Sequence, residues 1–271
     1  MDKQNGPMTR REFIEATGAS ALAAGLCGSL AFPERTPAMQ SEKKAVTSTK
    51  KQIQALVFDA YGTLFDVSSV VTALNRKFPG QGMAASAEWR AKQLQYSWVR
   101  ALSGQYEDFW KVTESALIFT CNDMRLPCDA AARAQLMDAY LHLEPFAEVK
   151  QALQSLSGRP LAILSNGTIK MLQGVVDNAG LKGAFSQIIS TDEAKTYKPN
   201  PAAYELAVRR LGLDKSHIGF VSSNFWDAAG GKAFGFTTYW VNRTGAPADE
   251  LGVTPDATLR SLSDLVDATK V

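Results

Sequence analysis

The sequence has few of the side chains that most often carry acid–base and metal chemistry. Its 271 residues include two histidines, His142 and His217, and three cysteines. Acid–base chemistry would therefore depend on carboxylates, lysine or hydroxyl groups. Neither histidine belongs to a set of residues at metal-ligand spacing, and we expect no metal and no other cofactor. Cys121 and Cys128 are expected to be buried thiols rather than a disulfide.

An excess of charge of one sign and long apolar runs are also missing. The formal net charge is +2, from 29 basic and 27 acidic residues. This balance gives no electrostatic basis for binding nucleic acid or an anionic membrane surface. Beyond the N-terminal region, no segment has the length and apolarity of a membrane span, so we expect no membrane anchor.

The N-terminus has the order of an export signal. Arg10 and Arg11 form a basic pair that precedes a weakly apolar stretch rich in Ala and Gly. We interpret residues 1–38 as a twin-arginine-type signal and the Lys-rich residues 39–52 as a flexible linker. The twin-arginine export machinery is then a partner, and the location is periplasmic, or cytoplasmic if the signal is not functional. The alternative is an amphipathic first helix with a chance arginine pair.

After the linker, short apolar runs alternate with helical patterns. The runs are typical of strands that are covered on both faces, and they lie at residues 53–58, 161–164, 187–189, 218–221 and 237–241. Helical patterns cover residues 169–179, 201–211 and 226–234. The alternation predicts an α/β fold with a doubly wound parallel sheet and a Rossmann-like core.

One interval interrupts this alternation. Residues 68–145 contain helical stretches at 69–77, 84–103, 106–120 and 129–143, and no convincing strand. We predict an all-helical cap at residues 68–145, inserted between a first core segment at 53–67 and the remaining core at 146–271. Such a cap would lie over the carboxyl ends of the strands, where open α/β sheets bind their ligands.

Four polar clusters follow predicted strands. Each alone would be weak evidence, because Ser-Asn-Gly after a strand is usually a turn and a Lys before Pro is usually a solvated charge. In chain order they read DAYGT from Asp59, LSNG ending at Gly167, KTYKP ending at Pro199, and SSNFWD from Ser222 to Asp227. Together, in this order, the clusters resemble the haloacid dehalogenase superfamily. Asp59 matches its nucleophile, Ser165 its second motif and Lys198 its third.

Two positions distinguish the branches of this superfamily. Its phosphatases carry a second Asp two residues after the nucleophile, where this chain has Tyr61, and hold Mg²⁺ with acidic residues at positions that match Ser223 and Asp227. Ser223 supplies no carboxylate, and Mg²⁺ requires hard oxygen ligands. The stretches EWRAKQLQYSWVR, YKPNPAAYELA and FVSSNFWDAAG are similar to those of the metal-independent (S)-2-haloacid dehalogenases.

The resemblance implies a carboxylate nucleophile and its supports. Asp59 attacks the halogen-bearing carbon with inversion and forms an ester, which water hydrolyses at the carboxylate carbon. Lys198 keeps Asp59 ionised, and Tyr204 supports that lysine near the substrate. Thr63 and Ser222 orient Asp59 or Lys198 by hydrogen bonds.

It also implies how a short haloacid substrate is bound and hydrolysed. Arg90 holds the halide or the substrate, and Asn166 is a second donor to the halide. Ser165 binds the substrate carboxylate together with the backbone N–H groups near Ala60 and Tyr61. Asn224 and Asp227 place the hydrolytic water, with Asp227 as the base. The apolar wall around the alkyl group consists of Tyr61, Leu94, Phe109 and Trp226. For these four side chains, simple core packing is an equal alternative.

The implied reaction is the hydrolysis of short (S)-2-haloalkanoic acids to (R)-2-hydroxyalkanoic acids and halide. One alternative is a phosphatase of the same superfamily, which Tyr61 and Ser223 disfavour. Another is a non-catalytic scaffold that binds a small carboxylate, which predicts the loss of Asp59, Arg90 or Lys198, and all three are present. The family often forms dimers, and the aromatic-rich cap helices would suit a homodimer.

Overall fold

The computed structural model describes residues 52–269 of the chain. The signal predicted at residues 1–38, with Arg10 and Arg11, and all but the last residue of the predicted linker lie outside the described residues. None of the helices within residues 52–269 has the length and apolarity needed to cross a membrane. Both cysteines in this range are free thiols; Cys121 is buried and Cys128 is half-buried.

The strands and helices of this region alternate along the chain. The strands are β1 (Ala55–Phe58), β2 (Phe65–Asp66), β3 (Glu144–Pro145), β4 (Leu161–Ser165), β5 (Gln187–Ser190), β6 (Ile218–Ser222), β7 (Thr237–Val241) and β8 (Ala257–Leu259). The α-helices are α1 (Val70–Lys77), α2 (Gly82–Leu102), α3 (Phe109–Asp123), α4 (Ala130–Ala139), α5 (Val149–Leu156), α6 (Ile169–Asn178), α7 (Pro201–Leu211), α8 (Phe225–Phe234) and α9 (Leu262–Ala268).

β1 lies in the middle of a six-stranded sheet. The strand order is β5-β4-β1-β6-β7-β8, and all neighbouring strands are parallel. Val57 pairs with Ala162 on one side and with Phe220 on the other. Leu56 and Phe58 pack into one apolar cluster and Val57 into a second, so both faces of the strand are covered. The predicted doubly wound, Rossmann-like α/β fold is confirmed.

Between β2 and β3 the chain forms helices and turns. β2 and β3 pair as a short antiparallel ribbon, so this segment leaves and rejoins the sheet at one place. We refer to residues 68–145 as the cap. Helix α3 begins at Phe109 rather than at the predicted Tyr106, because the Asp108 carboxylate accepts a hydrogen bond from the Lys111 N–H at 2.9 Å and caps the helix.

Three elements of the core have no counterpart among the predicted ones. β8 has three residues, too few for a recognisable apolar run, and it forms the sheet edge beside β7. Helices α5 and α9 have eight and seven residues, about two turns each. Helix α5 buries Val149, Ala152, Leu153 and Leu156 at helical spacing, a signal from which this helix could have been predicted. Short elements of this kind are stabilised by the sheet against which they pack rather than by their own pattern.

Candidate active site

The carboxylate of Asp59, directly after β1, is held by three donors. Thr63 Oγ1 donates to Asp59 Oδ2 at 2.8 Å, and Asn224 Nδ2 donates to the same oxygen at 3.1 Å. Lys198 Nζ donates to Oδ1 at 3.1 Å. Thr63 reaches back to Asp59 because Gly62 adopts a left-handed conformation, with φ at 88°. Asp59 is only 6% exposed, and bonds to both oxygens fix its orientation.

Lys198 lies between two carboxylates. Its Nζ also donates to Asp227 Oδ2 at 2.8 Å, and the lysine is fully enclosed at 1% exposure. Burial alone would lower the pKa of Lys198, but the charges and hydrogen bonds of Asp227 and Asp59 outweigh burial and raise the pKa. The lysine therefore remains a cation beside Asp59.

Asp227 is the second carboxylate that pairs with Lys198. Its Oδ1 accepts a hydrogen bond from the Tyr204 hydroxyl at 2.8 Å, and its Oδ2 accepts from Lys198. Burial raises the pKa of Asp227 to about 6, against the lowering effect of Lys198. Asp227 is fully buried and each of its oxygens accepts a hydrogen bond; its role as the base for the hydrolytic water stays a prediction. Tyr204 does not line the cavity, and its bond holds Asp227, the partner of Lys198.

The loop after β6 brings an amide to the nucleophile. Ser222 Oγ accepts a hydrogen bond from the Asn224 N–H at 3.2 Å, so Ser222 orients this loop. The sequence had predicted instead that Ser222 would orient Asp59 or Lys198. Asn224 Nδ2 donates to the Tyr61 carbonyl at 3.2 Å as well as to Asp59. Within residues 52–269 nothing donates to Asn224 Oδ1, which leaves this oxygen as an acceptor for a water.

The second cluster, after β4, presents an amide from the opposite side. Asn166 Oδ1 accepts hydrogen bonds from the Lys198 N–H at 2.9 Å and from Thr191 Oγ1 at 3.4 Å. With its oxygen occupied, the Asn166 NH₂ group is the part that can donate to a ligand. Ser165 Oγ accepts from the Gly167 N–H at 3.3 Å and keeps its own proton for a ligand.

The cap closes the site with one cation and apolar side chains. Arg90 Nη1 donates to Gln93 Oε1 at 2.6 Å, and Gln93 is itself fixed to Thr113 Oγ1 at 2.7 Å. The enclosed cavity measures about 10 Å³, room for roughly one water molecule, so a larger ligand requires the cap side chains to withdraw. Nine predicted site residues line it: Asp59, Tyr61, Arg90, Leu94, Phe109, Ser165, Asn166, Asn224 and Trp226.

A larger cleft of about 710 Å³ lies apart from these residues. Its walls include Trp110, Met137 and Lys170, and none of the predicted site residues lines it. We place the active site at the small cavity because the buried ion network of Asp59, Lys198 and Asp227 lies there. Volume alone does not identify a site of chemistry.

The donor set around Asp59 does not suit Mg²⁺, the ion that the phosphatase alternative needs. Within residues 52–269, no three His, Cys, Asp or Glu side chains are grouped to hold a metal ion. Asp59 Oδ2 and the Tyr61 carbonyl both accept from the Asn224 amide, and Ser223 Oγ accepts from the Arg243 guanidinium at 2.8 Å. Amide and guanidinium groups are donors here, whereas Mg²⁺ requires an octahedral set of oxygen acceptors.

Arg243, just after β7, is a site residue that sequence reasoning missed. Its Nη2 donates to the Thr63 carbonyl at 2.8 Å, its guanidinium pairs with Glu148 at 2.8 Å, and it lies 3.8 Å above the Phe146 ring. With its bond to Ser223, it connects the nucleophile loop, the β6 loop and the segment that returns from the cap. The only signal in the sequence is an arginine shortly after an apolar strand, and its partner Thr63 is 180 residues away.

The fold and the site together define a class: an enzyme on a Rossmann-like sheet whose nucleophile is a buried aspartate paired with a lysine. The model of the haloacid dehalogenase-like hydrolases matches residues 53–235. The chain belongs to this family.

Individual relatives are similar over nearly all of their own length. The (S)-2-haloacid dehalogenase of Pseudomonas sp. (strain YL) is 50% identical over 217 residues, which are 79% of this chain and 94% of that protein. Haloacetate dehalogenase H-2 of Moraxella sp. (strain B) is 49% identical over 218 residues, 80% of this chain and 97% of that protein. The L-2-haloacid dehalogenase of Xanthobacter autotrophicus, solved with chloropropionic acid covalently bound, matches with a TM-score of 0.76 and 40% identity over 80% of this chain and 98% of that one.

Proposed function

We propose that this protein hydrolyses short (S)-2-haloalkanoic acids to (R)-2-hydroxyalkanoic acids and halide. The observation that carries the proposal is the environment of Asp59: a buried carboxylate held by Lys198, Thr63 and Asn224, with Tyr61 where a phosphatase has its acid. A halide leaves an sp³ carbon without being protonated, so this reaction needs no second carboxylate. The relatives named for haloacids support the substrate class.

In the first step, an Asp59 carboxylate oxygen attacks the carbon from the side opposite the halogen. The new carbon–oxygen bond forms an ester, the carbon–halogen bond breaks, and the halide leaves with the electron pair. Arg90 and the Asn166 NH₂ group stabilise the leaving anion, and Ser165 binds the substrate carboxylate. Lys198 keeps Asp59 ionised while the substrate's own negative charge approaches.

In the second step, water attacks the carbonyl carbon of the Asp59 ester, and the bond between that carbon and the ester oxygen breaks. One proton of the water goes to the departing alkoxide, which leaves as the hydroxyacid, and the other is lost to solvent, which restores the Asp59 carboxylate. The Asn224 amide oxygen accepts a hydrogen bond from this water, since its NH₂ group is already engaged with Asp59 and Tyr61. Lys198 stabilises the oxyanion that develops on the former Asp59 carboxylate. One oxygen of Asp59 is therefore replaced by an oxygen from water in each turnover.

A single turnover in ¹⁸O-labelled water tests this pathway. The substrate is (S)-2-chloropropionate with enzyme in excess, followed by mass analysis of the peptide that contains Asp59. We expect one ¹⁸O in that peptide and an unlabelled hydroxyl on the product. Label in the product instead would mean that water attacks the substrate directly, and absence of chloride release would refute the function.

The phosphatase alternative is tested in the same preparation. Halide release is expected to continue unchanged in EDTA, and p-nitrophenyl phosphate is expected not to be hydrolysed with or without Mg²⁺. Phosphate release that depends on Mg²⁺ would overturn the assignment. The non-catalytic scaffold predicts that neither halide nor phosphate is released.

Export is part of the proposal. The order of Arg10, Arg11 and the weakly apolar stretch in residues 1–38 supports a twin-arginine-type signal and a periplasmic location. Fractionation of cells with and without the arginine pair changed to Lys-Lys tests it. We expect the shortened protein in the periplasm only when the pair is intact; uncleaved protein in the cytoplasm in both cases contradicts it.

We further propose a homodimer that uses the cap. Helix α2 carries three exposed large apolar residues, Met83, Val99 and Leu102, at 78%, 56% and 89% exposure. Val99 and Leu102 lie three residues apart on one face of the helix, and neighbouring exposed apolar side chains support a contact surface between proteins. Light scattering coupled to size exclusion should give twice the monomer mass, and Leu102→Glu should shift the species toward monomer.

A further inference from the structure

The hydroxyl of Tyr61 has no hydrogen-bond partner. Among residues 52–269 it is the one buried side-chain polar atom in this condition, and Tyr61 as a whole is 2% exposed. An unpaired buried hydroxyl destabilises a folded protein, and native structures contain few of them. The isosteric phenylalanine would remove this penalty, so the hydroxyl needs an explanation other than stability.

The aromatic ring of Tyr61 is held firmly in place. Its centroid lies 6.1 Å from that of Phe109 and 6.2 Å from that of Tyr140, both on the cap. On the core side, a Cβ on Gly167 would lie 2.8 Å from the ring and 3.0 Å from the hydroxyl oxygen, so only glycine leaves room there. The hydroxyl therefore lies against the residue that follows Asn166.

The groups around this hydroxyl are donors. Asn166 has its oxygen occupied by the Lys198 N–H, which leaves its NH₂ group. Arg90 uses one nitrogen for Gln93, and its positive charge acts on the Tyr61 hydroxyl. Asn166, Arg90 and Tyr61 all line the cavity. Asp59 also lines the cavity, but both of its oxygens already accept from Thr63, Asn224 and Lys198. The free donors of Tyr61, Asn166 and Arg90 are therefore suited to an anion.

We propose that the Tyr61 hydroxyl donates a hydrogen bond to the halide as it leaves the substrate, together with Arg90 and Asn166. This role rests on the proposed function and makes Tyr61 a catalytic residue rather than part of an apolar wall. The carbon–halogen bond breaks, the electron pair stays on the halide, and the phenolic proton stays on Tyr61. Burial raises the pKa of this hydroxyl, so the group remains a donor throughout the working pH range.

A donor to the leaving group has a signature that a packing role lacks. Chloride concentrates its developing charge more than bromide does, so it gains more from a hydrogen bond, and the loss on removing the donor is larger for chloride. We expect Tyr61→Phe to lower kcat for (S)-2-chloropropionate roughly 10- to 100-fold, the range of a hydrogen bond to a charged group. The loss for (S)-2-bromopropionate should be smaller, and thermal stability should equal or exceed that of the wild type.

The matched control is Tyr239→Phe, which removes a buried tyrosine hydroxyl on β7 away from the cavity and should leave both rates unchanged. An equal rise in KM for the chloro and bromo substrates would instead indicate that the hydroxyl binds the substrate carboxylate, and would overturn the proposal. Unchanged rates, or a marked loss of stability, would also overturn it. Failure of the wild type to release either halide would refute the proposed function itself. That outcome is distinct from a failure of the Tyr61 proposal, in which the wild type is active.

Discussion

The two walls of the active site differ in how completely their polar groups are paired. On the core wall, Asp59, Lys198 and Asp227 form a continuous buried chain, with ion-pair distances of 3.1 and 2.8 Å. On the side where the cap meets the second cluster, Arg90 makes one hydrogen bond to Gln93 and the Tyr61 hydroxyl makes none.

This difference separates two tasks. The core wall holds a nucleophile in one orientation and one charge state before any ligand arrives, which lowers the reorganisation needed in the reaction. The other wall keeps donors unpaired by protein groups, and a bound anion can pair them. Its cost in stability is tolerated because the same groups act on the substrate. Four predictions, in order of expected effect, test whether the walls divide in this way.

The largest effect is expected from Asp59→Asn on the core wall. An amide is a poor nucleophile at carbon, so halide release should fall by roughly 10⁴-fold or more. The substitution keeps the volume of the side chain, and the circular dichroism spectrum should be unchanged. Chloride-selective electrode measurements check the rate, and substantial residual turnover would show that Asp59 is not the nucleophile.

Lys198→Met should damage both stability and activity. Without the cation, Asp59 and Asp227 are buried near each other as uncompensated charges, a loss of about 3–5 kcal/mol in unfolding free energy. Turnover should fall by roughly 10³-fold, because Asp59 loses the hydrogen bond that holds Oδ1 and the cation that stabilises the developing oxyanion. Denaturant unfolding and halide release measure the two effects. The control is Lys182→Met, an exposed lysine outside the site; equal effects for both variants would contradict the role of Lys198.

Arg243→Ala tests whether the fixed position of Asp59 depends on the contacts that Arg243 makes with the nucleophile loop and the β6 loop. Losing the bonds to Thr63 and Ser223 loosens the nucleophile loop, and we expect kcat to fall about 100-fold with little change in KM. Arg243→Lys keeps the positive charge beside Glu148 but lacks the forked donors of the guanidinium. Its kcat should lie between those of the wild type and of Arg243→Ala. Arg260→Ala, at an exposed position, is the control. A change confined to KM would place Arg243 in substrate binding instead.

The smallest effect is a pH dependence. Burial raises the pKa of Asp227 to about 6, so this carboxylate is charged above that pH and gains a proton below it. As pH falls through 6, Lys198 loses one of its two partners, and kcat/KM should decline by up to about tenfold per pH unit. Asp227→Asn should have a lower kcat/KM at every pH and should not show this decline below pH 6. An acid limb in the wild type only below pH 5 would show that Asp227 does not control the decline.

Much of the architecture could be predicted from the sequence because the signals are local. The apolar run before Asp59, the run before Ser165 and the run before Ser222 each indicate a buried strand, and all three strands are in the sheet. Short elements such as β8 could not be predicted, since three residues carry no period. The nine residues that line the cavity all belonged to the predicted set. Those after β1, β4 and β6 meet because strand ends of a parallel sheet lie at one edge, whereas Arg90, Leu94 and Phe109 on the cap helices were predicted from the family resemblance.

The hydrogen bonds of site residues that do not line the cavity were less predictable. Ser222 was predicted to orient Asp59 or Lys198, but it bonds its own loop. The bond of Asp227 to Tyr204 was not predicted either, and it holds Asp227 beside Lys198. Residue type and spacing do not determine the direction in which a side chain points. That direction follows from how two loops, distant along the chain, pack against each other.

The sequence by itself determined the class of fold, the nucleophile and the absence of a second carboxylate at Tyr61, because each depends on residue identity within a few positions. Tertiary structure alone decided which donors reach Asp59, where Asp227 faces, that Arg243 joins the site, and that the Tyr61 hydroxyl has no partner. Those contacts join residues as far as 180 positions apart. Hydrogen bonds depend on distances and angles that only the folded chain defines.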